Sequence, residues 1–418
     1  MGLLALAVLL GGCSDEAVTD AAAPDRSSGS PHPTSATASG PTVGPDASAA
    51  AALDRLLAIR DAAVLAGDRD AYAATVADPG SPSGARQLRG FDAARRLRPA
   101  VLTHDAVPTA SDPAAVDVVL RYRVADLDRG DRTATVRYTL RERSGRWLVA
   151  AETPRAPGAA PAWLAMPDLK VVRTARAVVA GTAPRADLTA AADTVDRALP
   201  ALRPHWSGTP GRALVLLPDT TAEADALTGG PSAGTGSVAA LTDGPLDADG
   251  RATGDRVVLD PEVRRRLTAT GQDVVLTHEL AHVAVRATLA GSAPLWLTEG
   301  YADHVGYERA DLPQRRLAAP LLEEVRDGTA PTGIPGADAL DPAAGDLVAG
   351  YLAAWQVAET VVDLGGEDGL RRLVAACTVR GGEDAAEQTC TAAMPRVLGT
   401  DRAGLTRRWQ QRLDRLAR

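Results

Sequence analysis

Five residues in the second half of this 418-residue chain constrain its fold more than any others: His278-Glu279-Leu280-Ala281-His282. Residues 272–289 read as one helix, ended by Gly291 and Pro294. On a helix, positions i and i+4 lie about 40° apart, so both imidazoles leave the same face. Two neutral imidazoles at that spacing can ligate one Zn²⁺ at about 2.0–2.1 Å each. Glu279, about 100° round the helix from His278, need not ligate and is placed to act on a water at the ion. Val274, Val275, Leu276, Leu280, Val283 and Val285 surround the motif and predict a buried helix. A dry setting strengthens the field of any ion held there. Two solvated histidines on a surface helix would not carry such apolar flanks.

Sixteen residues separate His282 from Glu299, within Trp296-Leu297-Thr298-Glu299-Gly300-Tyr301-Ala302-Asp303. Glu299 and Asp303 again stand at i, i+4, on one face of a second predicted helix. A catalytic zinc takes three protein ligands and keeps a position for water, and Glu299 would be the third. Asp303 is then placed to accept the second N–H of a ligand histidine, fixing its tautomer. HExxH followed by a distant ExxxD resembles the gluzincin, or thermolysin-like, class of zinc metallopeptidases. The phrase WLTEGYAD is more closely similar to the peptidase MA-like domains of bacterial extracellular proteins. The likeness covers about 40 residues around the motif. Val285 and Thr288 stand where the metzincin pattern HExxHxxGxxH needs Gly and His.

The resemblance implies Zn²⁺ on His278, His282 and Glu299, polarising the scissile carbonyl and lowering the pKa of water towards about 7. It implies that Glu279 takes a proton as water attacks and passes it to the leaving amine. It also implies an oxyanion stabiliser from a later helix. Tyr351 is the expected residue, His304 its competitor, and Tyr301 and Tyr307 weaker ones. His205, beside Trp206, reads as structural.

Composition sets outer limits. Hydrophobic residues at 45% and charged residues at 23% exclude wholesale disorder, a collagen-like repeat and a polytopic membrane protein. The net charge of −8, with no long basic run, argues against a nucleic-acid partner. Phe91 is the only phenylalanine, so the core is expected to be built from Ala, Val and Leu.

The cysteine count is three. Residues 3–10 are apolar but far short of the roughly 20 needed to span a bilayer as helix, and suit the hydrophobic part of an export signal. Leu10-Gly11-Gly12-Cys13 resembles the lipobox of bacterial lipoproteins, although no Lys or Arg precedes Leu3. That resemblance implies a lipid anchor at Cys13 and a protein held at the outer face of the cell membrane. Residues 14–50, rich in Ser, Thr, Pro, Gly, Ala and Asp, read as a disordered tether. Cys377 and Cys390 are expected to pair outside the cytoplasm, contributing about 3 kcal/mol.

Beyond the tether the sequence predicts two domains, 51–154 and 160–418, joined at Pro154, Pro157 and Pro161, with the motif in the second. The first has helices over 53–64 and 70–76, then strands over 116–124, 133–140 and 147–151, with turns at Asp128-Arg129-Gly130 and Ser144-Gly145. By pattern it resembles the small NTF2-like domains found ahead of extracellular enzymes. No polar cluster marks a ligand site in it, and His104 reads as a satisfied lone histidine. The second domain has strands over 171–179, 212–217, 238–241 and 256–259 and helices over 187–202 and 221–227. The Gly-rich loop 229–236 lacks a GxxxxGK[ST] pattern and is no phosphate cradle. Beyond Pro261 the chain reads as helical, with a Gly- and Pro-rich break over 327–346.

The expected fold is thus α+β: a small NTF2-like domain, then a thermolysin-like mixed sheet with a mainly helical metallopeptidase domain. The expected function is zinc-dependent hydrolysis of a peptide or protein substrate at the extracytoplasmic face of the membrane. The alternative is a catalytically silent metal-binding or interaction lipoprotein on a peptidase scaffold.

Overall fold

A computed structural model describes residues 45–106, 115–155, 159–230, 240–341 and 347–418. Cys13 and most of the predicted tether lie outside the described residues. The chain is α+β, with two sheets.

The first sheet is an antiparallel meander packed under three helices. α1 (Pro45–Ala66), α2 (Arg69–Ala73) and α3 (Pro82–Leu97) are followed by β1 (Pro99–Ala106), β2 (Ala115–Val124), β3 (Arg132–Arg143) and β4 (Arg146–Pro154), in sheet order β1-β2-β3-β4. Helix α1 begins at Pro45, inside the stretch expected to be tether, because Leu53, Leu56 and Leu57 further along it are buried. Strand β1 adds to the strands the sequence predicts, since Pro99, His104 and Asp105 blur its pattern; pairing to β2 from Pro99 to Ala106 fixes it. The β3–β4 hairpin turns on Ser144 and Gly145, both at positive φ (51° and 72°), as a primed two-residue turn requires.

After α4 (Ala162–Ala165) comes the second sheet, whose order is β5-β6-β7-β9-β8. It contains β5 (Lys170–Arg173), β6 (Ala177–Gly181), β7 (Ala213–Leu217), β8 (Ala240–Asp243) and β9 (Arg256–Leu259), with α5 (Arg185–Leu202) and α6 (Thr221–Thr228) between them. The single strand expected over 171–179 is two strands. Asp196 on α5 accepts from the Thr174 hydroxyl and the Arg176 amide, pinning a reversal that local sequence does not announce. β6, β7 and β9 are parallel, and both edges are antiparallel. The three central strands are buried throughout, as expected of a sheet covered on both faces.

Side chains alternate between the two faces with period two. Val179, Val215, Leu217, Val257 and Leu259 face the helices of the C-terminal half. Val178, Ala180, Leu214, Leu216 and Val258 instead join one core with Leu120, Tyr122, Phe91 and Trp163. The second sheet thus shares its back face with the first.

Helices α7 (Pro261–Arg266), α8 (Ala269–Arg286), α9 (Leu295–Tyr307), α10 (Gln314–Leu317), α11 (Ala319–Asp327), α12 (Leu347–Cys377), α13 (Gly382–Leu398) and α14 (Arg402–Ala417) complete the chain. By length and composition α12 could cross a membrane, but 72% of its apolar window is buried inside the protein, as in a core helix. It bends at Gly366, where φ is 66°. Cys377 and Cys390 form a buried disulfide joining α12 to α13.

Helix α9 packs between α8 and α12. A Cβ on Gly300 would lie 2.4 Å from the Ala354 carbonyl oxygen of α12. On an open helix Gly→Ala would stabilise by about 1 kcal/mol. Here Gly300→Ala is expected to destabilise instead, as a lower midpoint in urea unfolding; a higher midpoint would show that α9 and α12 are not in such close contact.

Candidate metal centre

The centre is made where α8 crosses α9. Thr268 caps α8, its hydroxyl accepting from the Gly271 amide. Val274, Val275, Leu276 and Leu280 bury the helix together with its HExxH face. α9 starts after Pro294 and turns Glu299 and Asp303 towards α8. His278, Glu279, His282, Glu299 and Asp303 are all buried, His278 and Asp303 completely.

Three donor atoms converge. His282 Nε2 lies 2.9 Å from His278 Nε2 and 3.4 Å from Glu299 Oε2. His278 Nε2 lies 3.2 Å from the same Glu299 oxygen. Ligand atoms 2.0–2.1 Å from a tetrahedral ion stand about 3.3 Å apart, so the triangle has the size of one face of such a polyhedron. His278 Nδ1–H donates to Asp303 at 2.9 Å, which leaves the Nε2 lone pair pointing into the triangle. These residues are positioned to hold a metal ion.

The electrostatics agree with that donor set. Burial alone would lower the His278 pKa, but hydrogen bonds to Asp303 and Glu299 outweigh it and lift it to about 10. Burial would raise Glu299, yet His282 and His278 hold it down at about 2. Burial raises Asp303 and Glu279. The ionised Glu299 corner thus favours one positive charge within the triangle, carried by a proton on His278 or by a cation that takes its place and frees Nε2 to ligate.

Glu279 does not join the triangle. Its Oε2 accepts from the Thr242 hydroxyl at 2.6 Å, so strand β8 sets its orientation. Thr242 escapes sequence reading, because it belongs to no motif and meets Glu279 only when β8 docks on α8. Beside His282 lies a cavity of about 70 Å³, mostly apolar, lined by Val285, Leu289, Ala293, Tyr301 and Val374. The buried Tyr301 hydroxyl has no hydrogen-bond partner among the described residues.

The expected oxyanion residues fall differently. Tyr351 is buried in α12 within the main core. His304 is turned to another set of partners, with Glu359 on Nδ1 at 2.7 Å and Glu367 on Nε2 at 2.9 Å, so both ring nitrogens are engaged away from the triangle. Tyr307 packs on Trp355, ring centroids 4.5 Å apart.

The first sheet does hold a polar cluster, contrary to the sequence expectation. The buried Arg60 guanidinium donates to Glu152 at 2.6 Å, Thr75 at 3.0 Å and Gln87 at 3.1 Å, and also to the Tyr72 hydroxyl. Nearby, His104 bridges Asp61 (2.5 Å) and the Tyr138 hydroxyl (2.7 Å). The accompanying cavity is only about 20 Å³, room for about one water. Its members are scattered over 92 positions, which hid it from sequence reading.

The chain matches no known family model and no curated protein. The functional reading therefore rests on the motif and its geometry.

Asp303→Asn tests the orientation of His278. Loss of the carboxylate is expected to weaken metal affinity about 10–100-fold, measured by competition with a chromogenic chelator. Unchanged affinity would show that Asp303 does not support the ligand.

Proposed function

We propose that the protein is a zinc-dependent peptidase with the triangle His278, His282 and Glu299 as its metal site. The observation that carries this is the convergence of those three donors at 2.9–3.4 Å in a buried pocket, with a separate carboxylate beside them. A zinc ion held there supplies Lewis-acid polarisation of a carbonyl and activation of water.

Each protein group then has a separable task. Asp303 holds the His278 ring in the ligating tautomer. Glu279 is free of the triangle, and burial raises its pKa, so it can accept a proton and return it to a leaving amine. Thr242 keeps the Glu279 carboxylate aimed while the proton is absent. Among the described residues β8 pairs only with β9, so its outer edge suits an extended peptide laid alongside as a further strand. The apolar cavity beside His282 suits a small apolar side chain. Tyr351 remains our proposal for the oxyanion stabiliser.

The arrangement of sheets and helices supports an NTF2-like module ahead of a thermolysin-like peptidase. We further infer that Cys13 carries a lipid anchor at the extracytoplasmic face; a Cys13→Ala protein that stays in the membrane fraction would refute it. The function is tested by elemental analysis of the purified protein, followed by digestion of a peptide library mapped by mass spectrometry. Zinc bound with no cleavage would favour the alternative, a silent metal-binding or interaction lipoprotein. No bound zinc would remove the reading at its base.

A further inference from the structure

A second constellation of donors lies on the far side of α9. His205 comes from the loop after α5, and His304 from the last turns of α9. Glu308 follows that helix directly, and Glu367 follows the Gly366 bend of α12. Their donor atoms all lie within 4.8 Å of one another. His205 Nε2 is 3.2 Å from Glu308, and its Nδ1 is 3.2 Å from Glu367. His304 Nε2 is 2.9 Å from Glu367 and 3.8 Å from Glu308.

The arrangement around His304 repeats the design at His278. A carboxylate behind the ring, Glu359, accepts from Nδ1–H at 2.7 Å. Glu359 is in turn held by Trp355 Nε1–H at 3.0 Å, Gln314 at 2.5 Å and Arg412 at 3.4 Å. Four partners thus fix one buried carboxylate, which fixes the tautomer of His304 and aims Nε2 at the cluster. Such outer support is characteristic of metal-ligating histidines. Two imidazoles and two carboxylates make a closed four-donor set of the kind that suits Zn²⁺. The histidine side chains are 6% and 12% exposed and the glutamates 48% and 45%. An ion can therefore enter from solvent, and the glutamates can rotate to close on it.

We propose that His205, His304, Glu308 and Glu367 form a second divalent-metal site, structural in role, that ties the α12 bend and the α5 loop to the end of α9. Because α9 also carries Glu299 and Asp303, the second ion would brace the helix that completes the first centre.

The experiment is a zinc count per chain by elemental analysis after equilibration with Zn²⁺ and removal of excess. The proteins compared are the wild type, His282→Ala, and the double variant Glu308→Gln with Glu367→Gln. The glutamines keep side-chain size at half-exposed positions, so the fold should survive. The expected counts are two for the wild type, one for each variant, and none for the combination. Added Zn²⁺ should raise the melting temperature of His282→Ala, and this shift should vanish when the two glutamines are also present. If the first centre holds no zinc, the wild type should still hold one, and the two glutamines should abolish it. A wild-type count of one that the glutamines leave unchanged overturns the proposal and leaves the cluster as a proton-linked ion-pair network. A count of zero in every protein overturns it as well.

Discussion

Replacing Glu279 by glutamine is expected to lower the rate of peptide cleavage by about 10²–10⁴-fold, with zinc content unchanged. Loss of a positioned general base of this strength corresponds to about 3–5 kcal/mol of transition-state stabilisation. The substitution is nearly isosteric, and the carboxamide oxygen of the variant can still accept from Thr242, whose hydroxyl is 2.6 Å from the native carboxylate. What disappears is the capacity to take a proton. Glu279 stands outside the triangle of His278, His282 and Glu299, so metal binding should not follow it down. The loss should fall on kcat with KM little changed, because the interaction belongs to the transition state. Steady-state assays on a cleaved library peptide, paired with elemental analysis, provide the check. A variant as active as the wild type would remove Glu279 from the chemistry.

The largest expected effect on stability lies outside the candidate metal centre. Asp128, in the β2–β3 connection, accepts from Arg256 of β9 at 3.0 Å, and their side chains are 2% and 7% exposed. Its carboxylate also accepts from the Val124 amide at 2.7 Å. Removing one partner of a buried pair leaves the other charge uncompensated, at a cost of about 3–5 kcal/mol. Arg256 otherwise lies over the Tyr122 ring, 5.6 Å from its centroid, and one of its terminal nitrogens has no hydrogen-bond partner among the described residues. Asp128→Ala should therefore lower the unfolding free energy by about that amount while keeping a single transition. The measurement is urea denaturation followed by both tryptophan fluorescence and circular dichroism. Two separated transitions would mean that the two sheets unfold independently, and a change under about 1 kcal/mol would mean that the pair is more hydrated than its burial indicates.

Sequence reading succeeds where chemistry follows local periodicity. The faces of α8 and α9 can be drawn from the i, i+4 spacing alone, because helical geometry fixes where His278, His282, Glu299 and Asp303 point. The predicted helix over 187–202 starts two residues inside α5 and shares its end, since its apolar stripe is continuous. The readings that fail depend on partners distant in the chain. β1 exists through β2, and the Thr174 turn exists through Asp196. Thr242 meets Glu279 across 37 positions. Arg60 and Glu152 are ordinary charges in the sequence and become a buried pair only when α1 packs on β4. Nothing near His205 in sequence reveals its ion pairs with Glu308 and Glu367.

The sheet face shared between the two halves bears on the order in which the chain can fold. The core containing Leu120, Tyr122 and Phe91 is closed by Val178, Leu214 and finally Val258. The N-terminal half is synthesised first, yet its apolar surface stays uncovered until the chain as far as Val258 has emerged from the ribosome. Nascent chains longer than the first sheet but shorter than residue 258 would thus present a sticky face to their surroundings, the interval in which a holding chaperone has most to do. A domain boundary drawn at the Pro154 joint divides the sequence, but the folding unit extends past it.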